Sequence, residues 1–139
     1  MAEKITIFAP ATIANFGPGF DIFGAALESV GDLITAETLE DDKGEIIIKY
    51  TSGAVPKEPE NNTACIAALS AINLLKEKYQ IKIRSVALSI IKKIPQGGLG
   101  GSAAGAVGGA FAINALFGEK LSSEDIIKAA LVAETKVSG

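Results

Sequence analysis

Seven of the chain's fifteen glycines fall within thirteen residues, Gly97 to Gly109, in the run IPQGGLGGSAAGAVGGA that starts at Ile94. A glycine inside a helix costs about 1 kcal/mol relative to alanine, yet Gly105, Gly108 and Gly109 stand where a helix pattern runs. Bare backbone at a helix start has one chemical use. Several N–H groups can converge on an anion, and the helix start adds roughly half a positive charge. The run therefore reads as a phosphate cradle, to be compared with two known nucleotide motifs and one structural alternative. A Walker A loop needs a lysine after its last glycine, and none stands between Gly97 and Ala110. Gly98-Leu-Gly100-Gly-Ser-Ala103 fits the dinucleotide pattern. However, Gly118 to Asp125 reads as a turn into another helix, where a dinucleotide fold needs a strand. The third alternative is structural, a helix kept small so that it packs closely on a sheet.

Two further places could carry chemistry. The stretch APATIANFGPGFDIFG, Ala9 to Gly24, is turn-rich and presents Asn15 and Asp21. An amide both donates and accepts, whereas a carboxylate prefers a cation such as an ammonium. The same residues could equally satisfy backbone groups of an ordinary turn. Near the C-terminus, Glu134 follows Ile127 and Leu131 at helical spacing, which points it toward the apolar side, with no Lys or Arg three or four residues away. A carboxylate so placed needs a cation, and Mg²⁺ takes a few oxygen ligands plus phosphates. The alternative is a flanking glutamate that reaches water.

The chain has 139 residues, 48% of them hydrophobic, so one domain with a proper core is expected. A net charge of −3, no basic run and 6% aromatic residues argue against a nucleic-acid partner. The nearly uncharged run Ile94 to Gly118 is broken by glycines, Gln96 and Asn114, which argues against a membrane span. The single cysteine, Cys65, and the lack of an export pattern fit the cytoplasm. There is no histidine, which removes histidine triads and metal sites, and only one arginine, Arg84.

The elements that must position these residues follow from periodicity. Lys4 to Ala9 reads as a strand. Asp32 to Glu37 and Glu45 to Tyr50 read as a strand pair joined by the polar turn Glu40 to Gly44. Asn62 suits an N-cap, before a helix with Cys65, Leu69, Ile72 and Tyr79 at helical spacing. Ile81 to Lys92 is strand-like, with a change of phase near Ser85. A helix is expected from about Ser102 to Phe117, closed by Gly118. Ser122 and Asp125 resemble a capping box for a last helix. Strands and helices mix without strict alternation, so the class is α+β.

Pro95-Gln-Gly-Gly-Leu-Gly-Gly-Ser-Ala-Ala104 resembles the second motif of the GHMP small-molecule kinases, P-x-x-x-G-L-G-S-S-A. One residue is missing after Pro95, and Gly101 replaces the first serine. APATIANFGPGFD resembles the substrate loop of the homoserine kinases within that superfamily. The resemblance implies a two-layer, ribosomal-protein-domain-2-like N-terminal domain, a mixed sheet with helices on one face. It implies ATP and Mg²⁺ as cofactors and L-homoserine as substrate, its hydroxyl phosphorylated on the route to threonine. Asn15 and Asp21 would hold homoserine, with Asp21 facing its ammonium, and Asn62 would contact adenine. Pro95, Gln96, Gly97, Gly98, Leu99, Gly100, Gly101, Ser102 and Ala103 would wrap the phosphates. Ser102 and Glu134 would serve catalysis as metal ligands. The family is often dimeric, so a homodimer is the expectation. Its His-Ala-Asp-Asn stretch and third glycine-rich motif would lie past Gly139, so residues 1–139 would be the N-terminal, ATP-binding part of a longer enzyme. A kinase for another small alcohol, or a nucleotide-binding module without catalysis, are the alternatives.

Overall fold

The computed structural model describes residues 3–14, 24–53, 55–80, 82–95 and 98–138. Among these residues four strands form one sheet: β1 (Lys4–Ala14), β2 (Gly24–Thr38), β3 (Ile46–Thr51) and β4 (Val86–Ile91), in the order β1-β2-β4-β3. β2 is antiparallel to both β1 and β4, while β3 runs parallel to β4. The pairing lines up Ile7, Ile34 and Ile90 in one row and Ile5, Ala36, Leu88 and Ile48 in the next. Side chains alternate across a strand, so these rows share a face. Phe8, Ile91, Ile47 and Tyr50 stand on the other face and are exposed.

Three α-helices among the described residues complete the fold: α1 (Thr63–Tyr79), α2 (Gly101–Leu116) and α3 (Ser123–Ser138). α2 packs on β1 and β2, α1 packs beside it toward β3, and α3 packs on α1 and α2. The architecture is α+β, a mixed sheet with helices on one face. Ile34, Ile72, Leu75, Leu88, Ile113 and Leu116 are fully buried between the layers.

The strand pair expected between Asp32–Glu37 and Glu45–Tyr50 does not form, because β4 lies between them. The connection from β2 to β3 folds around Ser85 instead of making a tight turn. Leu39 N–H donates to the Ser85 carbonyl (2.7 Å), Ser85 N–H to that of Asp41 (3.1 Å), and Glu45 N–H to Ser85 Oγ (3.0 Å). β4 buries Val86, Ala87, Leu88 and Ile90, the profile of a central strand covered on both sides by neighbours. β1 also runs on through Pro10 to Ala14, where a loop was expected, with a register shift between Pro10 and Thr12. A bulge is where a strand tolerates proline.

On α1, Leu69 and Tyr79 prove exposed, and the buried stripe runs instead through Ala64, Ala68, Ala71 and Leu75 beside Cys65 and Ile72. The capping box of α3 forms as read: Asp125 N–H donates to Ser122 Oγ, and Ser122 N–H to Asp125 Oδ2, both at 3.1 Å. The Asp125 carboxylate also receives the Lys78 ammonium of α1 at 2.7 Å. That ammonium first, and the Ser122 N–H second, hold the Asp125 carboxyl below its ordinary value. A depressed carboxyl contributes stability that is present above its unfolded pKa and lost as pH falls through the folded one. The parent is therefore expected to unfold later in urea than Asp125→Asn at neutral pH, with the gap closing in acid below the ordinary carboxylate range. A gap independent of pH would show that the charge of Asp125 is not what joins α1 to α3.

Candidate functional site

The glycine loop enters α2 through two residues in the left-handed region, Gly98 (φ 79°) and Gly100 (φ 69°). A residue with a Cβ is strained there, so these glycines are backbone requirements. A Cβ on Gly100 would also collide with Thr12 Oγ1, and Thr12 N–H donates to the Leu99 carbonyl at 2.9 Å. The extension of β1 through Ala11 and Thr12 thus holds the loop, and the two sequence motifs meet. In α2 the Ala104 N–H donates to the Gly100 carbonyl (2.9 Å). The N–H groups of Gly101, Ser102 and Ala103 come earlier and have no partner within the helix.

Ser102 stands in the first turn of α2 and Glu134 in the last turns of α3. The Ser102 hydroxyl donates to Glu134 Oε1 at 2.8 Å, which brings together two residues far apart in sequence. The route differs from the expected one. Ile127 and Leu131 are exposed, and α3 buries Ile126, Ala129, Ala130 and Ala133. Glu134 sits at the edge of that small-residue stripe, half-buried, and reaches the start of α2 from there. Beside them, Thr63 Oγ1 donates to the Ser102 carbonyl at 3.3 Å, so the first turns of α1 and α2 adjoin.

Two cavities flank this helix start. One, of about 470 Å³, is lined by Gly53, Asn62, Thr63, Lys92, Pro95 and Ser102. The other, of about 540 Å³, is lined by Ile7, Pro10, Thr12, Ala103, Val107 and Phe111 and is largely apolar. Both fall in the size range of small-molecule sites. Ser102 faces one and Ala103 the other. Asn62 is buried at the edge of the first, and its amide is engaged. Its Oδ1 accepts from the Ala64 and Cys65 N–H groups (3.0 and 3.3 Å), and its Nδ2 donates to the Pro56 carbonyl (3.0 Å). Asn15, Asp21, Gln96 and Gly97 lie outside the described residues.

Two residues at the base of the loop escaped the sequence reading. Asp32 is fully buried and forms an ion pair with Lys92. The signal was available as phase: Asp32 continues the inward series of Ile34 and Ala36, and Lys92 that of Val86, Leu88 and Ile90. Arg84 stands before β4, at the end away from the loop, and its Nε donates to the Leu39 carbonyl at 2.6 Å. Burial pushes the Cys65 thiol up to about 12, which removes it as a nucleophile near neutral pH. Among the described residues no group of three or more His, Cys, Asp or Glu side chains could hold a metal, and no helix is long and apolar enough to cross a membrane.

Comparison with known proteins bears on the same geometry. The chain is 43% identical to a homoserine kinase of Pyrococcus abyssi, over 98% of its length and 43% of that protein's. It is 42% identical to a homoserine kinase of Arabidopsis thaliana, over 98% of its length and 37% of that protein's. A crystal structure of homoserine kinase from Cytophaga hutchinsonii superposes on all of this chain and 43% of its own, with a TM-score of 0.84 at 35% identity. The chain thus spans about two fifths of the length of the curated relatives it matches. Residues 66–139, from α1 through the glycine loop to the end of α3, match the family described as GHMP kinases N terminal domain, and the chain belongs to that family.

Proposed function

We propose that this chain supplies the phosphate loop and the acceptor loop of a homoserine kinase, which transfers the γ-phosphoryl group of ATP to the side-chain hydroxyl of L-homoserine. The observation that carries the reading is the meeting of Ser102 and Glu134 at an open helix start between two cavities. The N–H groups of Gly101 to Ala103, without partners inside the helix, and the α2 dipole suit phosphate oxygens. The first cavity would take the rest of the nucleotide beside Asn62, and the second adjoins the strand that leads to Asn15 and Asp21. In that loop Asp21 would meet the homoserine ammonium and Asn15 its remaining polar groups.

One hydroxyl and one carboxylate form a hard oxygen donor pair, which fits Mg²⁺ completed by phosphate oxygens and water. When bound there, the ion supplies charge neutralisation for the transferring phosphoryl group. Phosphoryl transfer depends mainly on positioning and electrostatics, so no dedicated base is required of this chain. The homoserine carboxylate calls for a bidentate guanidinium. Arg84 is engaged with Leu39 at the wrong end of β4, so the clamp is proposed to lie outside these 139 residues. The cytoplasm, where ATP and Mg²⁺ are plentiful, is the proposed setting.

The test is ADP release by the protein at its natural length, with homoserine and with a panel of other small alcohols. Homoserine is expected to give the highest kcat/KM. Asp21→Asn should raise KM for homoserine by about tenfold, the scale of a lost charge-assisted contact, with KM for ATP unchanged. Preference for another alcohol would reassign the substrate, and equal effects on both KM values would give Asp21 a structural role.

A further inference from the structure

We infer that Asp32 is a positioning residue for the glycine loop, its buried carboxylate tying the two ends of the loop together. The inference rests on the reading that Gly98 to Ala103 bind phosphate. At the upstream end, Asp32 Oδ1 accepts the N–H groups of Lys93 (2.6 Å) and Ile94 (2.9 Å), immediately before Pro95. Its Oδ2 accepts the Lys92 ammonium, which also donates to the carbonyl of Gly101, the first residue of α2, at 3.1 Å. Lys93 and Ile94 lead into the loop, and Gly101 leads out of it. One carboxylate therefore fixes the spacing between the end of β4 and the start of α2.

The charge pair is by itself weak evidence of a stabilising role. Asp32 is fully buried on the apolar face of the sheet, next to Ala9 in the register. Removing two charges from water is costly, and buried pairs replaced by apolar residues of similar volume often leave stability equal or higher. A leucine and a methionine would fill these places. What they could not do is hold two backbone N–H groups and a carbonyl from separate segments at one point. Thr12 and Leu99 hold the middle of the loop, and Asp32 its ends.

Charge alone and the clamp make opposite forecasts. Removing a carboxylate from beneath an anion site should tighten phosphate binding if only the charge mattered. The clamp requires the reverse, because a displaced loop no longer aims its N–H groups. The protein at its natural length, the parent and Asp32→Asn, would be titrated with ATP, inorganic triphosphate and adenosine. The expected result is that Asp32→Asn weakens ATP and triphosphate by about tenfold, as small misplacements of binding groups do, while adenosine changes less than twofold. Equal or tighter triphosphate binding would overturn the inference, as would a proportional loss for adenosine. If Asp32→Asn does not fold, Lys92→Met is compared with Asp32→Leu/Lys92→Met, which leaves no charge buried. The double variant is expected to bind triphosphate more weakly, and tighter or equal binding would overturn the clamp. A parent that binds neither ATP nor triphosphate would instead refute the phosphate reading itself.

Discussion

Alanine at Gly109 is expected to lower the thermal unfolding midpoint by roughly 10 °C, while alanine at Gly105, on the same helix, leaves it within a few degrees. Both changes gain about 1 kcal/mol of helix propensity, so their surroundings decide. A Cβ on Gly109 would overlap the Ala64 carbonyl oxygen and stand 2.8 and 2.9 Å from the Ala64 carbonyl carbon and Cα. All three are backbone atoms of α1, so the helices themselves would have to separate. Overpacking of this kind costs typically 1–3 kcal/mol, and about 3 kcal/mol or more is expected where nothing flexible can yield. At Gly105 the only near atom among the described residues is Thr63 Oγ1 at 3.1 Å, the end of a side chain. Gly108 lies between these cases, with Ile34 Cδ1 at 2.5 Å and Ala9 Cβ at 3.1 Å, so Gly108→Leu should cost about 1–3 kcal/mol. Midpoints should rise from Gly109→Ala through Gly108→Leu to Gly105→Ala. Equal values would mean that α2 does not touch α1 and the sheet as closely as its glycines allow.

That series also explains why so much bare backbone is gathered in one place. The phosphate and packing readings of the sequence were set against each other, yet the structure gives the glycines two different backbone tasks. Gly98 and Gly100 supply the left-handed backbone of the loop, and Gly108 and Gly109 supply close packing. The run of glycines was legible, but its division was not, because φ and neighbours are tertiary facts. Pairing order was hidden for a related reason. Local turn signals between Thr38 and Glu45 suit a hairpin, and only the apolar character of β4 places it between β2 and β3. The strand was read as starting at Asp32, whereas β2 begins at Gly24 and carries Asp32 inward. The small residues Ala129, Ala130 and Ala133 weigh less in hydropathy than Ile127 and Leu131, so the stripe of α3 was drawn on the wrong face. Glu134 nonetheless lies at Ser102, because it borders the buried stripe.

Ser102→Ala and Glu134→Gln are each expected to lower kcat of the natural-length protein on the order of a hundredfold, and together scarcely further. A carboxylate at the start of α2 is at home there electrostatically when the site is empty. It would become a liability if phosphates bound at the same helix start, because two anions would then share one small region. A divalent ion held by Ser102 and Glu134, whose side chains meet at 2.8 Å, would offset that repulsion. Charge stabilisation by such an ion is worth several kcal/mol in the transition state, and each 1.36 kcal/mol is tenfold in rate. Residues acting as one unit lose most of that at the first substitution, so the double-mutant cycle should show a coupling of about 1–3 kcal/mol. Both single variants should also need more Mg²⁺ to reach half-maximal rate, which a merely structural hydrogen bond would not change. Additive losses with an unaltered Mg²⁺ requirement would leave the Ser102–Glu134 contact as a tie between α2 and α3, and the ion would have to be sought elsewhere in the enzyme.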